Sequence, residues 1–239
     1  MIFAAGLGTR LKPLTDTLPK ALVPIAGKPL LEHVILKLKS AGFDEIIVNV
    51  HHFPDLIIEF LKSNNNFGIR IEVSDEREML LDTGGGVKKA AWFFDDGKPF
   101  LVHNVDILSN LDLGALYQSH LASDAVATLV VSKRDTFRYL LFKEQLTLKG
   151  WINEKTGETK PTRFESIESF QKFAFSGIQV LSPQVFERMI SFDENFPIMD
   201  FYLSIAATNS IKGYVPMDYK MLDVGKIDII DEAEKFIIQ

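Results

Sequence analysis

Residues 4–31 read "AAGLGTRLKPLTDTLPKALVPIAGKPLL": three glycines, four prolines, one arginine and three lysines against a single acid, at the end of the strand-like "IFAA". The 239-residue chain has a formal net charge of -6, so this basic character is local. A general nucleic-acid or anionic-membrane surface would need a broad basic face, and the composition argues against one. Gly6 and Gly8 let the backbone come close to a ligand and offer amide donors, while Arg10 and Lys20 add charge. A loop running from a strand toward a helix lies at the carboxyl edge of a parallel sheet, where open α/β folds bind their ligands. These features together describe a polyphosphate site.

Two common phosphate loops do not fit it. A P-loop ending at Gly27-Lys28 would need glycine at position 22, which is leucine, and Ser or Thr at position 29, which is proline. A dinucleotide fingerprint beginning at Gly6 would need Gly or Ala at position 11, which is also leucine.

Outward from the loop, apolar runs alternate with amphipathic stretches: "IFAA", "LLEHVILKLKSAG", "EIIVNV", "DLIIEFLKS", "IRIEV", a glycine-led helix start and "FLVHNV". This βαβαβ rhythm, with strands that are continuously apolar, predicts an α/β fold: a three-layer, Rossmann-like, mainly parallel sheet flanked by helices. Leu31, Val34, Ile35 and Leu38 share one helical face, and Gly42 ends that helix. From about 136 to 173 the pattern alternates around Thr156-Gly157, which predicts a small β-rich insertion of antiparallel hairpins within a single domain spanning 1–239. Trp151 belongs to that alternation, which favours packing over the alternative of stacking on a sugar or a base. With no cysteine, disulfides, thiolate metal sites and thiol nucleophiles are excluded. No apolar run reaches the twenty or so residues that span a bilayer, and no charged leader precedes the first strand, so a soluble cytoplasmic protein is expected.

The opening stretch resembles, residue for residue, the G-x-G-T-R-x-x-P-x-T, P-K-x-L-x-P and G-K-P-L blocks of the sugar-phosphate nucleotidyltransferases. The likeness continues in that family's order through "LLDTGGGVKKA" (80–90), "FLVHNVDIL" (100–108), "FSGIQVLSP" (175–183) and "LDVGKIDIIDEA" (222–233). It is strongest with the short single-domain bacterial members, such as N-acetylmuramate 1-phosphate uridylyltransferases and small mannose 1-phosphate guanylyltransferases.

The resemblance implies the nucleotide-diphospho-sugar transferase fold and the attack of a sugar 1-phosphate on the α-phosphorus of a nucleoside triphosphate. It assigns the nucleotide to the backbone of Ala5, Gly6, Leu7, Gly8 and Thr9, with Arg10 on the leaving pyrophosphate and Lys20 between the reacting phosphates. It makes Asp106 and Asp223 carboxylate ligands of Mg2+, a metal that takes hard oxygen donors. Asp82, Thr83, Gly84 and Gly85 would meet the base and ribose, and Asn104 and Gly177 the sugar. Read as plain residues, Asp223 caps a helix starting near Lys226, Gly84 to Gly86 start a helix, and His103 is a hydrogen-bonded core residue. His51-His52 reads as a polar strand edge. Val105 stands where the family usually has a small residue, most often glycine, a departure that bears on how closely the sugar phosphate approaches. The Glu-Lys-Pro lysine of several members has no counterpart, since Glu154-Lys155 runs into a hairpin tip.

The expected activity is therefore a sugar 1-phosphate nucleotidyltransferase serving nucleotide-sugar and cell-envelope polysaccharide synthesis, leaning toward UTP. GTP-dependent transfer to mannose or heptose 1-phosphate, a CTP-dependent cytidylyltransferase, and a non-catalytic nucleotide-sugar-binding regulator are the alternatives. Expected partners are the nucleotide and sugar phosphate alone, without nucleic acid or membrane, in a monomer or small homo-oligomer.

Overall fold

The computed structural model describes residues 1–162, 164 and 166–238; residues 163 and 165 of the expected insertion lie outside the described residues. In chain order the first elements are β1 (Ile2–Phe3), β2 (Pro24–Ile25), β3 (Lys28–Pro29), α1 (Leu30–Ser40), β4 (Glu45–Val50), α2 (Pro54–Ser63) and β5 (Arg70–Asp75). Next come α3 (Asp82–Lys89), β6 (Phe100–Asn104), β7 (Ile107–Ser109), α4 (Leu113–Leu121) and β8 (Ala127–Ser132). The rest are β9 (Arg138–Phe142), β10 (Leu148–Asn153), β11 (Glu158–Lys160), β12 (Gln171–Leu181), α5 (Val185–Met189), α6 (Ile198–Ile205), β13 (Ile211–Tyr214), β14 (Met221–Asp223) and α7 (Ile230–Ile238).

The chain forms two compact units. The first is made of Met1–Leu81, Val102–Gly114 and Lys220–Gln239, the second of Asp82–Leu101 and Ala115–Tyr219.

In the first unit β1 lies between β4 and β6, and β5 follows β4, every pair parallel. β4 buries Ile46 through Val50 without alternation, the pattern of a parallel strand covered on both faces. α1 buries the predicted face, Leu31, Val34, Ile35 and Leu38, together with Leu30. It stops at Gly42, whose φ of 91° lies where an L side chain is strained. Fully burying leucines and isoleucines of this kind stabilises by roughly 1.5–3 kcal/mol each, which is why the stripe and not the loops fixes the helix. The short antiparallel pair β7 and β14 belongs to this unit as well.

The second unit holds the expected hairpins: β11, β10, β9 and β12 are antiparallel neighbours. β12 also pairs antiparallel with β8, and β8 pairs parallel with β13. The turn between β10 and β11 closes through the Gly157 amide on the Asn153 carbonyl, 2.8 Å, with φ of 74° at Gly157. The sheet is thus mixed, with mostly parallel core strands in the first unit and antiparallel strands in the second. Among the described residues no helix is long and apolar enough to cross a membrane.

Candidate active site

The glycine loop is rooted in the first unit's core. The Ala4 amide donates to Asn49 Oδ1 at 2.7 Å, and Asn49 Nδ2 donates to Glu76 Oε1 at 2.8 Å, all buried. A buried network of this kind fixes where the chain leaves β1, because each group would be costly to strand. Beyond it, Gly6 is exposed, and a Cβ placed on it would meet nothing within 4 Å. Gly8 is different. Its φ is 65°, a Cβ there would sit 2.8 Å from Thr15 Cγ2, and its carbonyl accepts from the Leu11 amide and Thr15 Oγ1, each at 2.8 Å. The tight turn that follows (Thr9–Leu11) buries Leu11 completely and leaves Arg10 exposed.

The two carboxylates are brought together by backbone pairing. β6 ends at Asn104, the Val105 amide donates to the Phe3 carbonyl at 3.1 Å, and Asp106 follows directly. β14 then pairs with β7 so that Asp223 faces Ile107, and the Val224 amide donates to the Asp106 carbonyl at 2.8 Å. Asp106 and Asp223 therefore stand on adjoining rungs although 117 residues apart in sequence (223 minus 106). Lys20 Nζ donates to Asp106 Oδ2 in an ion pair whose side chains are 11% and 17% exposed. On the other side is Gly225: a Cβ there would lie 2.6 Å from an Arg10 guanidinium nitrogen and 2.6 Å from Asp223 Oδ1. Glycine at 225 thus makes room for both groups, which converge on it. Arg10, Lys20, Asp106 and Asp223 are assembled in one unit.

A second lysine supports this arrangement from below the loop. Lys37 Nζ, on α1, donates to the Ser109 carbonyl and to Ser109 Oγ, tying down the end of β7. Burial pushes its ammonium from the ordinary lysine range down to about 8. His103 is fully buried and donates from Nδ1 to the Asn104 carbonyl at 2.7 Å. Burial pushes that imidazole down to about 4, the Asn104 contact opposing weakly, so it is neutral at physiological pH. The core-residue reading of His103 fits this geometry. Asn104 is half-buried at the strand end.

Some plain readings give way. Asp223 does not cap the terminal helix: the helical turn beginning at Ile227 has Lys226 at its cap with no side-chain hydrogen bond, and Asp223 is a strand residue. Val105 is buried at 4% exposure, so its side chain belongs to the interior. His51 Nδ1 lies 2.7 Å from the Glu76 carbonyl, as a polar strand edge would. Among the described residues no three His, Cys, Asp or Glu side chains gather as a metal cage. A cation here would rest on two carboxylates and on oxygens of its ligand.

The remaining predicted residues lie in the second unit. Asp82 opens α3 with φ of 56°, and its Oδ1 accepts from the Thr83 amide at 2.6 Å. Thr83 Oγ1 accepts from the Ile198 amide at 2.9 Å. The Gly84 and Gly85 amides both donate to the Phe196 carbonyl, at 2.8 and 3.3 Å, and a Cβ on Gly84 would be 2.2 Å from the Phe196 ring. Packing alone therefore accounts for Gly84. Gly177, φ 74°, sits in a bulge of β12 where the register against β8 shifts between Phe175 and Gln179.

Two site features were missed by sequence reasoning. Gly225 was visible as the glycine two residues after Asp223, and Lys37 as a lysine three residues after the buried Val34; neither pattern alone announces a role.

A glycine loop at the carboxyl edge of a parallel sheet, two cations and two adjoining carboxylates define an α/β protein built to handle phosphates. The chain belongs to the nucleotidyl transferase family, whose model matches residues 1–239. It is 32% identical over 220 residues to the N-acetylmuramate alpha-1-phosphate uridylyltransferase of Caulobacter vibrioides, covering 90% of this chain and 87% of that one. It is 31% identical over 240 residues to a UTP–glucose-1-phosphate uridylyltransferase of Synechocystis, covering 95% of this chain but only 60% of the longer relative. Among solved structures, HddC from Yersinia pseudotuberculosis matches with a TM-score of 0.79 at 25% identity, over 99% of this chain and 97% of that chain.

Proposed function

We propose that this chain transfers a nucleotidyl group from a nucleoside triphosphate to a sugar 1-phosphate, giving a nucleotide-diphospho-sugar and pyrophosphate, with UTP as the nucleotide. The observation that carries this reading is the convergence of Lys20 on Asp106, and of Arg10 and Asp223 on Gly225, beside a loop whose Gly6 faces open space. The preference for UTP is supported by the uridylyltransferases among the relatives.

In the reaction a sugar 1-phosphate oxygen attacks the α-phosphorus in line, the bond from that phosphorus to its bridging oxygen breaks, and pyrophosphate leaves with the electron pair. Positioning and charge neutralisation do most of this work. The amides of Ala5 to Thr9 cradle the triphosphate. Arg10, whose guanidinium has no hydrogen-bond partner among the described residues, takes the charge that builds on the departing pyrophosphate. Lys20 has three donors and gives one to Asp106, leaving the others to hold the two reacting phosphates together. Asp106 and Asp223 offer hard oxygen ligands in the number that magnesium takes beside phosphates and water, so the donor set fits Mg2+. Bound there, Mg2+ supplies neutralisation of phosphate charge. Asp82 and Thr83 are assigned to the base and ribose, the Gly84 and Gly85 amides being already given to the Phe196 carbonyl, and Asn104 and Gly177 are assigned to the sugar. The chain acts as one functional domain over 1–239, in the cytoplasm, as a monomer or small homo-oligomer.

The test is pyrophosphate release with Mg2+ across UTP, GTP, CTP, ATP and dTTP against a panel of sugar 1-phosphates. Release that needs UTP and one sugar together is the expected result. A GTP or CTP requirement would overturn the choice of base, and nucleotide binding without release under any pairing would overturn the reaction.

A further inference from the structure

Lys20 Nζ meets Asp106 Oδ2 although the two residues are 86 apart in sequence. In the proposed reaction that ion pair has to open, since Asp106 gives oxygen to a cation and Lys20 turns its donors to phosphates. The segment of Lys20 and the strand end of Asp106 then need another tie to keep their spacing, and α1 supplies one. At its start the Leu30 amide donates to the Val23 carbonyl at 3.1 Å, and the Val23 amide donates to the Lys20 carbonyl at 3.1 Å. One turn on, His33 Nε2 donates to the Ile25 carbonyl at 2.9 Å. Lys37 lies four residues beyond His33, on the same helical face and about 6 Å further along the axis. Its Nζ donates to the Ser109 carbonyl and, at 3.2 Å, to Ser109 Oγ.

Ser109 ends β7, where it faces Met221 of β14. Two rungs along, Asp223 faces Ile107, and the Val224 amide returns to the Asp106 carbonyl. β7 and β14 form a sheet of two strands, so no further strand steadies this ladder, and Lys37 ties it to a helix. The contacts close a ring within the first unit: Lys20, Val23, α1, Ser109, the ladder, Asp106 and back to Lys20. We infer that α1 is a brace for the site: Lys37, with His33 one turn behind it, holds the ladder of Asp106 and Asp223 at a fixed spacing from the Lys20 segment, so that the ion pair opens to a cation and phosphates without the site spreading. Lys37 is a positioning residue that acts through Ser109. This role presupposes the proposed nucleotidyl transfer.

The test compares the wild type with Lys37→Met, which keeps an apolar stem of similar length and removes the charge and the three donors. UTP affinity is measured by calorimetric titration once with Mg2+ and once with EDTA, and the ratio of the two reports the hold of the carboxylates on the cation. Lys37→Met should lower that ratio about tenfold and leave the affinity in EDTA within about threefold of wild type, the size of effect expected of a group that orients a metal ligand. In pyrophosphate release kcat should fall about tenfold with little change in the KM for UTP. Lys37→Arg, which keeps charge and donors, should recover most of both losses. His33→Ala, at the other hold of the brace, should act in the same direction with a smaller effect, and it carries the comparison if Lys37→Met does not fold. In an Asp223→Asn background Lys37→Met should change the ratio by about twofold or less, because a ligand that it positions is gone. Equal losses with Mg2+ and with EDTA would mean that Lys37 serves the fold alone, and would overturn the inference. So would full additivity with Asp223→Asn, or an unchanged ratio in both Lys37→Met and His33→Ala. A wild type that binds UTP more tightly with Mg2+ yet releases no pyrophosphate with any sugar is a different result: it removes the transfer reaction, while the ratio in the variants still decides the brace.

Discussion

Two glycine-rich stretches of this chain, "AAGLG" at 4–8 and "DTGGG" at 82–86, look alike in sequence and are used in opposite ways. In the first, a methyl group on Gly6 would meet nothing within 4 Å, and Gly6 is exposed. In the second, a methyl group on Gly84 would be driven to 2.2 Å from the Phe196 ring, and the Gly84 and Gly85 amides are already given to the Phe196 carbonyl. Gly6 lacks a side chain where something from outside can approach; Gly84 lacks one because the protein itself is already there. Glycine content alone does not separate a ligand loop from a packing contact, whereas the occupant of the missing Cβ position does.

The contrast can be broken by mutation, and the largest effect is expected at Asp106, the carboxylate paired with Lys20 in the same unit as the first stretch. Asp106→Asn should lower kcat for pyrophosphate release by about 10^3-fold, roughly 4 kcal/mol, with little change in Tm. A loss of less than tenfold would remove Asp106 from the reaction. Next is Gly84→Ala, where overpacking should cost about 2–3 kcal/mol of stability and lower Tm by roughly 5–10 °C, as read by thermal unfolding. Unchanged stability would mean that α3 shifts freely and that packing does not explain the glycine. Gly6→Ala should leave Tm nearly unchanged and weaken nucleotide binding about tenfold, roughly 1.4 kcal/mol, by calorimetric titration. Undiminished affinity would break the claim that a ligand occupies that space.

The smallest expected effect sharpens the contrast between interior and site. His120 is buried, with Nδ1 2.8 Å from Thr128 Oγ1 and Nε2 3.0 Å from Ser182 Oγ, and burial pushes it, like His103, down to about 4. Folded-state values below the unfolded value near 6.5 mean that the unfolded chain takes up these protons first. Stability present above pH 6.5 should therefore fall as pH drops from about 6.5 toward 4, by on the order of 1 kcal/mol over the first step of one in pH. His120→Gln should flatten part of that slope in denaturant titrations; an identical slope would show that His120 is not among the groups responsible.

Much of this was legible in the sequence because it depends on local pattern. The continuous apolar runs of β4 and β6, the α1 stripe ended at Gly42 and the Thr156-Gly157 turn each encode their structure within a dozen residues. Arg10, Lys20, Asp106 and Asp223 were named from motif context, and the first unit assembles all four. What could not be read was long-range. That Gly225 clears space for Arg10 depends on a fold bringing residues 10 and 225 together, and that Lys37 ties down Ser109 depends on a helix crossing a strand 72 residues later. The burial of Val105 also escaped the pattern, since alternation gives a side chain's face but not what lies opposite.

The most direct measurement is equilibrium binding of UTP and of UMP, with Mg2+, to the wild type and to Arg10→Ala. If the opening loop holds a triphosphate with Arg10 on its far phosphates, the wild type binds UTP much more tightly than UMP, and Arg10→Ala loses on the order of 10- to 100-fold for UTP while UMP is little affected. Equal losses for both nucleotides, or a wild type that does not distinguish them, would contradict the assignment of this loop to the triphosphate.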